Sequence, residues 1–235
     1  MSSSSTTTIC KIESVTVDAS DGPKLHTRLF KPKHEHQRQH SVDGSELVVV
    51  LVHPFSVLGG FQGLLKGIAI GLASNGYTSV TFDMRGAGKS TGKASLTGFA
   101  EVKDVVAVCQ FVVENLGAKR ILLVGSSAGA PIAGSAVDQI EQVVGYVSLG
   151  YPFGLTASIL FGRHHKNILQ SPKPKLFVMG TRDGFTSVKQ LNNKVSSAAG
   201  QNEIHLIEGV SHFQMEGADY DAQMVSLILN FISKV

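Results

Sequence analysis

The sequence is poor in cysteine, in long apolar runs and in net charge. Cys10 and Cys109 are the only two cysteines among 235 residues. Because Cys109 falls on a predicted helix and Cys10 lies near the start of the chain, we expect no disulfide, which is typical of a reducing, cytoplasmic location. The best candidate for a membrane span, GLLKGIAIGLA, is interrupted by Lys66 and is shorter than the roughly 18 apolar residues that a span requires. We therefore expect no membrane insertion.

Basic residues form no pattern that would follow a nucleic-acid backbone. The formal net charge is +3, and no run of Lys and Arg stands out. The opening segment, MSSSSTTTICK, has neither the basic and apolar regions of a secretory signal nor the arginines of a transit peptide. These features predict a cytoplasmic protein whose partner is a small molecule rather than a nucleic acid.

Two phosphate-binding motifs are incomplete at the segment RGAGKST, residues 85–91. A P-loop would require Gly at position 83, where the sequence has Asp83. A dinucleotide fingerprint would require Gly at position 91, where the sequence has Thr91. We therefore expect no nucleotide cofactor.

The order of the predicted elements indicates an α/β fold. The strand-like segments SVTVDA and KLHTRLF flank the turn residues Asp21 and Gly22, which is a hairpin signal. From LVVVLV onwards, apolar strand-like runs alternate with helix-like segments, as in a parallel sheet covered by helices. Apolar residues recur at intervals of three or four from Phe99 to Leu116, and Gly117 follows, which predicts an amphipathic helix with a glycine cap.

We expect a single domain over residues 1–235, with residues 1–12 as a flexible tail and residues 31–46 as an exposed loop. This loop contains three histidines, His34, His36 and His40. They lack the Cys or carboxylate spacing of a metal site, so a solvated loop is favoured over the alternative of metal binding. No metal is expected.

The segment GSSAGA contains a G-x-S-x-G pattern centred on Ser127. It follows the strand-like RILLVG directly and precedes a helix-like segment, which is the context in which this motif presents a nucleophile. The turn is so tight that only small neighbours fit, and Ser126, Ala128 and Gly129 are small. Pro131 suits the first turn of a helix because the missing N–H needs no partner there. Ser127 is therefore the candidate nucleophile.

A serine nucleophile needs a base and a carboxylate that orients the base. Asp183 follows the strand-like KLFVMG, and His212 follows the strand-like EIHLIEG. Residues 145–175 contain no Asp or Glu, so the preceding strand offers no rival acid. The order Ser127, Asp183, His212 is that of nucleophile-elbow hydrolases. The alternative is that Asp183 only caps a helix and His212 is an ordinary loop histidine.

Over nearly its whole length, the sequence resembles the α/β-hydrolase superfamily, in particular small members without a lid such as dienelactone-hydrolase-like and carboxylesterase-like enzymes. The G-S-S-A-G motif, the order of the three candidate residues and the segment FDMRGAGKST carry the resemblance. It implies a three-layer α/β fold, with a twisted, mostly parallel sheet of about eight strands. An antiparallel hairpin at the amino terminus and a minimal or absent lid are also implied.

The same resemblance assigns roles to two further segments. In HPFSVLGG, the backbone N–H of Phe55 would form an oxyanion hole with that of Ala128, although Pro54 stands where many relatives have Gly. In FDMRGAGKST, Asp83 and Arg85 would hold the loop in place through hydrogen bonds.

The segment between VVGYVSLG and KLFVMG spans about two dozen residues, which is too short for a cap domain. Tyr151, Phe153 and Phe161 are candidates for lining a substrate pocket. Arg163 begins a basic cluster, residues 163–166, that would attract an anionic substrate; an ordinary solvated surface is the favoured alternative.

Together these features predict a serine hydrolase that cleaves a carboxylic ester or thioester through an acyl-enzyme and needs no cofactor. Two alternatives stay open because a fold does not determine a function. One is a receptor-like protein that binds a ligand on the same fold. The other is a scaffold protein with a vestigial site.

Overall fold

One sheet of eight strands forms the centre of the computed structural model, which describes residues 10–33, 46–54 and 56–235. The strands are β1 (Cys10–Asp18), β2 (Lys24–Pro32), β3 (Leu47–Val52), β4 (Thr78–Phe82), β5 (Arg120–Ser126), β6 (Val143–Leu149), β7 (Lys175–Gly180) and β8 (Asn202–Ile207). Their order across the sheet is β1-β2-β4-β3-β5-β6-β7-β8. The pairs β1–β2 and β2–β4 are antiparallel, and the other pairs are parallel.

Helices cover both faces of this sheet. Within the described residues, the α-helices are α1 (Lys66–Ser74), α2 (Phe99–Leu116), α3 (Gly129–Ala136), α4 (Leu155–Phe161), α5 (His165–Gln170), α6 (Val188–Val195), α7 (His212–Met215) and α8 (Asp221–Ile232). None of the helices in these ranges combines the length and hydrophobicity that crossing a bilayer requires.

The central strands are apolar along their whole length because both of their faces are covered. All six residues of β3, LVVVLV, are buried. Val50 and Leu123 contribute to the core beneath α2, α3 and α6, whereas Val49 and Leu122 contribute to the core beneath α1 and α8. The three-layer α/β fold predicted from the sequence is confirmed, with its mostly parallel sheet and its antiparallel hairpin.

The tail and the exposed loop predicted from the sequence are both too long. Cys10 is 2% exposed and is the first residue of β1, so the predicted tail of residues 1–12 was wrong for residues 10–12. Lys31 and Pro32 pair with β1 and therefore do not belong to the loop predicted over residues 31–46. Only Cys10 and Val17 of β1 are buried, so this edge strand lacks the apolar run that marks the central ones. The three histidines of the predicted loop lie outside the described residues.

The helix predicted from the spacing of apolar residues is confirmed as α2. Gly98 precedes it with φ of 77° and Gly117 follows it with φ of 66°. Both angles lie in the left-handed region, which glycine adopts without strain. The backbone N–H of Gly117 donates to the Val112 carbonyl, so the glycine ends the helix as expected.

The loop after β4 is held by two buried charged side chains. Asp83 accepts hydrogen bonds from the backbone N–H groups of Gln62 (3.0 Å) and Lys89 (3.1 Å). The Arg85 guanidinium donates to Asp104 of α2 at 2.7 Å and to Asp21 of the hairpin turn at 2.8 Å. Arg85 therefore connects the loop, the hairpin and a helix, and the segment serves as scaffold.

Replacing Arg85 with Ala is expected to destabilise the protein by about 3–5 kcal/mol, because the fully buried carboxylate of Asp104 would lose its counter-charge. Urea unfolding measures this loss. Lys103 also pairs with Asp21, but its side chain is exposed, so Lys103→Ala is expected to cost less than about 1 kcal/mol. Equal losses in the two variants would contradict this account of the network.

Candidate active site

Ser127 lies in the turn between β5 and α3. Its φ is +51°, and it is the only residue other than glycine with a positive φ in the described ranges. A side chain is strained in this conformation, which persists only where the surrounding structure enforces it. The strain presents the hydroxyl at the carboxyl-terminal edge of the sheet, as the G-x-S-x-G pattern predicts.

Two glycines allow α3 to approach the sheet closely behind Ser127. A Cβ on Gly125 would lie 2.5 Å from the Cα of Ala130 in α3. A Cβ on Gly129 would overlap the backbone oxygens of Val52 and His53, where β3 ends. Both positions therefore require the absence of a side chain, which explains why the motif has glycine at each of them.

The side chains of Ser127, His212 and Asp183 form one line of hydrogen bonds. The Ser127 hydroxyl lies 2.7 Å from Nε2 of His212, and Nδ1 of His212 lies 2.6 Å from Oδ2 of Asp183. The second oxygen of Asp183 accepts from the backbone N–H groups of Phe185 (2.7 Å) and Thr186 (2.9 Å). The side chains of His212 and Asp183 are 2% and 1% exposed. With Nδ1 donating to the carboxylate, Nε2 is free to accept the serine proton.

The loops after β7 and β8 deliver these two residues. Asp183 follows β7 within a tight turn, and His212 is the first residue of α7. A capping-box pair, Ser211 and Gln214, fixes the start of that short helix, with the backbone N–H of Ser211 donating to the Gln214 side chain at 2.9 Å. Gly150 follows β6 with φ of +73°, and a Cβ there would lie 3.0 Å from Cε1 of His212. The imidazole of His212 therefore packs directly against the backbone at Gly150.

The loop that follows β3 is organised by a buried histidine. Nδ1 of His53 donates to the Pro54 carbonyl at 2.6 Å, and Nε2 accepts from the backbone N–H of Met84 at 2.9 Å. Burial lowers the pKa of His53 to about 4, which keeps the ring neutral and able to accept that bond. Phe55, predicted to supply one oxyanion-hole amide, lies outside the described residues. Ala128, predicted to supply the other, precedes α3, where backbone N–H groups lack intrahelical partners.

A cavity of about 420 Å³ opens beside Ser127 and Ala128. Its lining is mainly apolar, with six large side chains: Leu58, Leu64, Leu160, Phe161, Phe185 and Phe213. The size and the apolar walls suit a small organic ligand with one polar end at the serine.

A sequence model described as "Serine aminopeptidase, S33" matches residues 45–203. The chain belongs to this family. An uncharacterized protein of Rickettsia prowazekii is 29% identical over 148 residues, which make up 60% of this chain and 60% of that protein. The chain thus matches less than two thirds of that relative's length.

Several solved structures are similar to this chain over nearly its whole length. An α/β serine hydrolase homologue from Coxiella burnetii is 25% identical, covers 93% of this chain and 96% of its own, and has a TM-score of 0.74. A serine hydrolase without a lid from Xanthomonas campestris is 21% identical, with coverages of 92% and 93% and a TM-score of 0.74. A Pyrococcus furiosus esterase is 19% identical, with coverages of 96% and 91% and a TM-score of 0.76. The family and these structures agree that the chain has an α/β-hydrolase fold.

Two of the residues predicted to line the substrate pocket lie in the core instead. Tyr151 is 1% exposed and Phe153 is 4% exposed, and their rings stack with centroids 3.9 Å apart. Both belong to the cluster beneath α2 and α3, whereas Pro152 between them lines the cavity. In the segment after β6, successive side chains point to opposite sides, so Tyr151 and Phe153 both face the core. Phe161 lines the cavity as predicted.

Of the predicted basic cluster at residues 163–166, Arg163 and Lys166 are exposed, whereas His164 and His165 are buried. The guanidinium of Arg163 lies over the Phe99 ring, 5.1 Å from its centroid, and is not part of the cavity wall. Burial lowers the pKa of His164, whose Nε2 lies 2.6 Å from the Thr97 carbonyl. Burial also lowers the pKa of His165 to about 4. Both histidines are therefore neutral near pH 7, so the positive charge of this segment is confined to Arg163 and Lys166, and its role in attracting an anionic substrate stays a prediction.

Glu216 is a site residue that the sequence reasoning missed. Its Oε1 lies 3.6 Å from Nε2 of His212, and its side chain lines the cavity. Burial raises the pKa of this carboxyl group, and nearby His212 and Ser127 only partly oppose the effect. The signal was available, because residues four apart face the same side of a helix and Glu216 follows His212 by four.

Gly129→Ala is expected to destabilise the protein by about 1–3 kcal/mol, since the added methyl group would press on the backbone at the end of β3. Thermal or urea unfolding measures the change. Gly162→Ala is the control, because its Cβ would make only ordinary contact and its backbone is already helical. An unchanged unfolding midpoint in Gly129→Ala would show that α3 is not held as closely as described.

Proposed function

We propose that this chain is a serine hydrolase that cleaves a carboxylic ester or thioester, with Ser127 as nucleophile. The observation that carries the proposal is the line of short hydrogen bonds from Asp183 through His212 to Ser127, whose side chain borders an apolar cavity. A serine hydroxyl becomes a useful nucleophile only when a positioned base takes its proton. The family and the fold support the same class of reaction.

In the first step, Oγ of Ser127 attacks the carbonyl carbon of the substrate while Nε2 of His212 takes the hydroxyl proton. The imidazolium that forms is stabilised by the carboxylate of Asp183. That carboxylate is held in place by the two backbone N–H groups that bind its other oxygen. It therefore keeps the imidazole in the tautomer that the reaction needs.

The tetrahedral oxyanion would be stabilised by the backbone N–H groups of Ala128 and Phe55. Ala128 supports this role because it borders both the cavity and the amino-terminal end of α3, where the helix dipole favours negative charge. One such donor is typically worth about 2.7–4 kcal/mol to the transition state.

The cycle then closes through an acyl-enzyme. His212 gives its proton to the leaving alcohol or thiol as the carbon–oxygen or carbon–sulfur bond breaks. The acyl group stays on Ser127 until a water, deprotonated by His212, attacks it; the bond to Oγ then breaks, His212 returns the proton to Oγ, and the carboxylic acid leaves. We infer that the apolar cavity holds the organic part of a small acyl substrate, with no cofactor taking part in any step.

Ser127→Ala is expected to abolish labelling by a fluorophosphonate probe and turnover of p-nitrophenyl esters, because no other group replaces the activated hydroxyl. The matched control is Ser135→Ala. Ser135 also contacts a histidine, with Oγ 2.6 Å from Nδ1 of His164, but it is buried and does not line the cavity. Labelling should survive in that variant. A folded wild-type protein that resists the probe would favour the receptor-like alternative.

Asp183→Asn is expected to lower kcat by about 10⁴, because an amide at this position leaves the imidazole in the wrong tautomer. Steady-state hydrolysis of a p-nitrophenyl ester measures the effect. Asp219→Asn changes the formal charge equally at an exposed position and should leave kcat close to the wild-type value. Near-normal activity of Asp183→Asn would mean that another carboxylate orients His212.

A further inference from the structure

Glu216 places a carboxylate inside the candidate site that the proposed reaction cycle does not use. It immediately follows α7, the short helix that begins with His212. Oε1 is buried and has no hydrogen-bond partner of good geometry within the described part of the chain, and the carboxyl group lies close enough to the Ser127 hydroxyl for that hydroxyl to lower its pKa. Its closest basic neighbour is Nε2 of His212, at 3.6 Å. A buried acceptor without a donor is costly, so such atoms are commonly satisfied by a bound molecule or by water.

The surroundings of Glu216 in the cavity are apolar. Among the described residues that line the cavity, it is the only one with an ionisable carboxyl or basic group. The carboxylate of Asp183 lies behind His212 and adds further negative charge at the same end. Arg163, two residues after Phe161 of the cavity wall, lies over the Phe99 ring and does not line the cavity. Because the walls are apolar, charge on a bound molecule would be weakly screened.

Resting on the hydrolase function proposed above, we propose that Glu216 selects substrates by charge. Esters with a negative charge close to the scissile bond are excluded. Esters that place a positive charge there are accepted, because the carboxylate of Glu216, which borders the cavity, attracts that charge. The substrate class is therefore a small apolar ester or thioester that is neutral or cationic near the reacting carbonyl.

A set of three esters with one acyl group tests this selection. Hexanoate esters of choline, of its uncharged isostere 3,3-dimethylbutanol and of isethionate carry a positive, a neutral and a negative alcohol of similar size. Hydrolysis is followed by pH-stat near pH 8 at physiological salt, which screens distant surface charges. The wild-type kcat/KM should fall from the choline ester to the isethionate ester.

Glu216→Gln should reduce the ratio of kcat/KM for the choline ester over the isethionate ester by about tenfold or more, since it removes a full charge from a poorly screened site. Glu216→Asp keeps the charge and should retain most of the ratio. Glu114→Gln removes the same charge from an exposed position on α2 and should leave the ratio unchanged. A wild-type ratio in Glu216→Gln would overturn the proposal.

Binding measurements test the charge selection by Glu216 independently of the proposed hydrolysis. The same three esters are titrated calorimetrically into Ser127→Ala, with and without Glu216→Gln. Tighter binding of the choline ester that depends on Glu216 would support charge selection even if the wild-type protein hydrolysed none of the esters. Turnover by the wild type, with equal binding preferences in the two variants, would retain the hydrolase and reject the role of Glu216.

Discussion

The candidate site depends on the close approach of α3 to the sheet beneath Ser127. The helix can lie against the end of β3 only because Gly125 and Gly129 have no side chains. That contact holds Ser127 at a positive φ, which an L-residue adopts only under constraint from its neighbours. The orientation of the hydroxyl and the position of the Ala128 amide both follow from this one contact.

Buried polar groups fix the loops that surround this turn. His53 connects the loop after β3 to Met84. Asp83 connects the loop after β4 to Gln62, and Arg85 connects that loop to the hairpin turn and to α2. Each of these groups has at least one hydrogen-bond partner from a distant part of the chain. A buried charge is tolerated only with such partners, so these networks specify the loop geometry more strictly than apolar packing does.

The sequence allowed the fold and the three residues Ser127, Asp183 and His212 to be predicted, because both depend on local patterns. Apolar runs mark the covered strands, and each of the three residues stands just after one of them. The cavity lining depends instead on which way the chain turns after β6, and spacing alone does not reveal that Tyr151 and Phe153 turn inward. The first residues of β1 likewise lack an apolar run, so residues 10–12 were not predicted to belong to the strand, although they pair with β2.

The shared support of His212 and Glu216 has a consequence for how this site can change. Both groups stand at the ends of a single helical turn, whose start is locked by the capping box of Ser211 and Gln214. A displacement of that turn would therefore move both groups together. A shift of that turn would change the position of the Glu216 carboxylate in the cavity and would also move the imidazole away from Ser127. Changes in substrate preference and in reaction rate are therefore coupled at this turn. Substitutions that change ligand preference without moving His212 are expected at cavity-lining residues outside this turn, such as Leu58, Leu160 and Phe185.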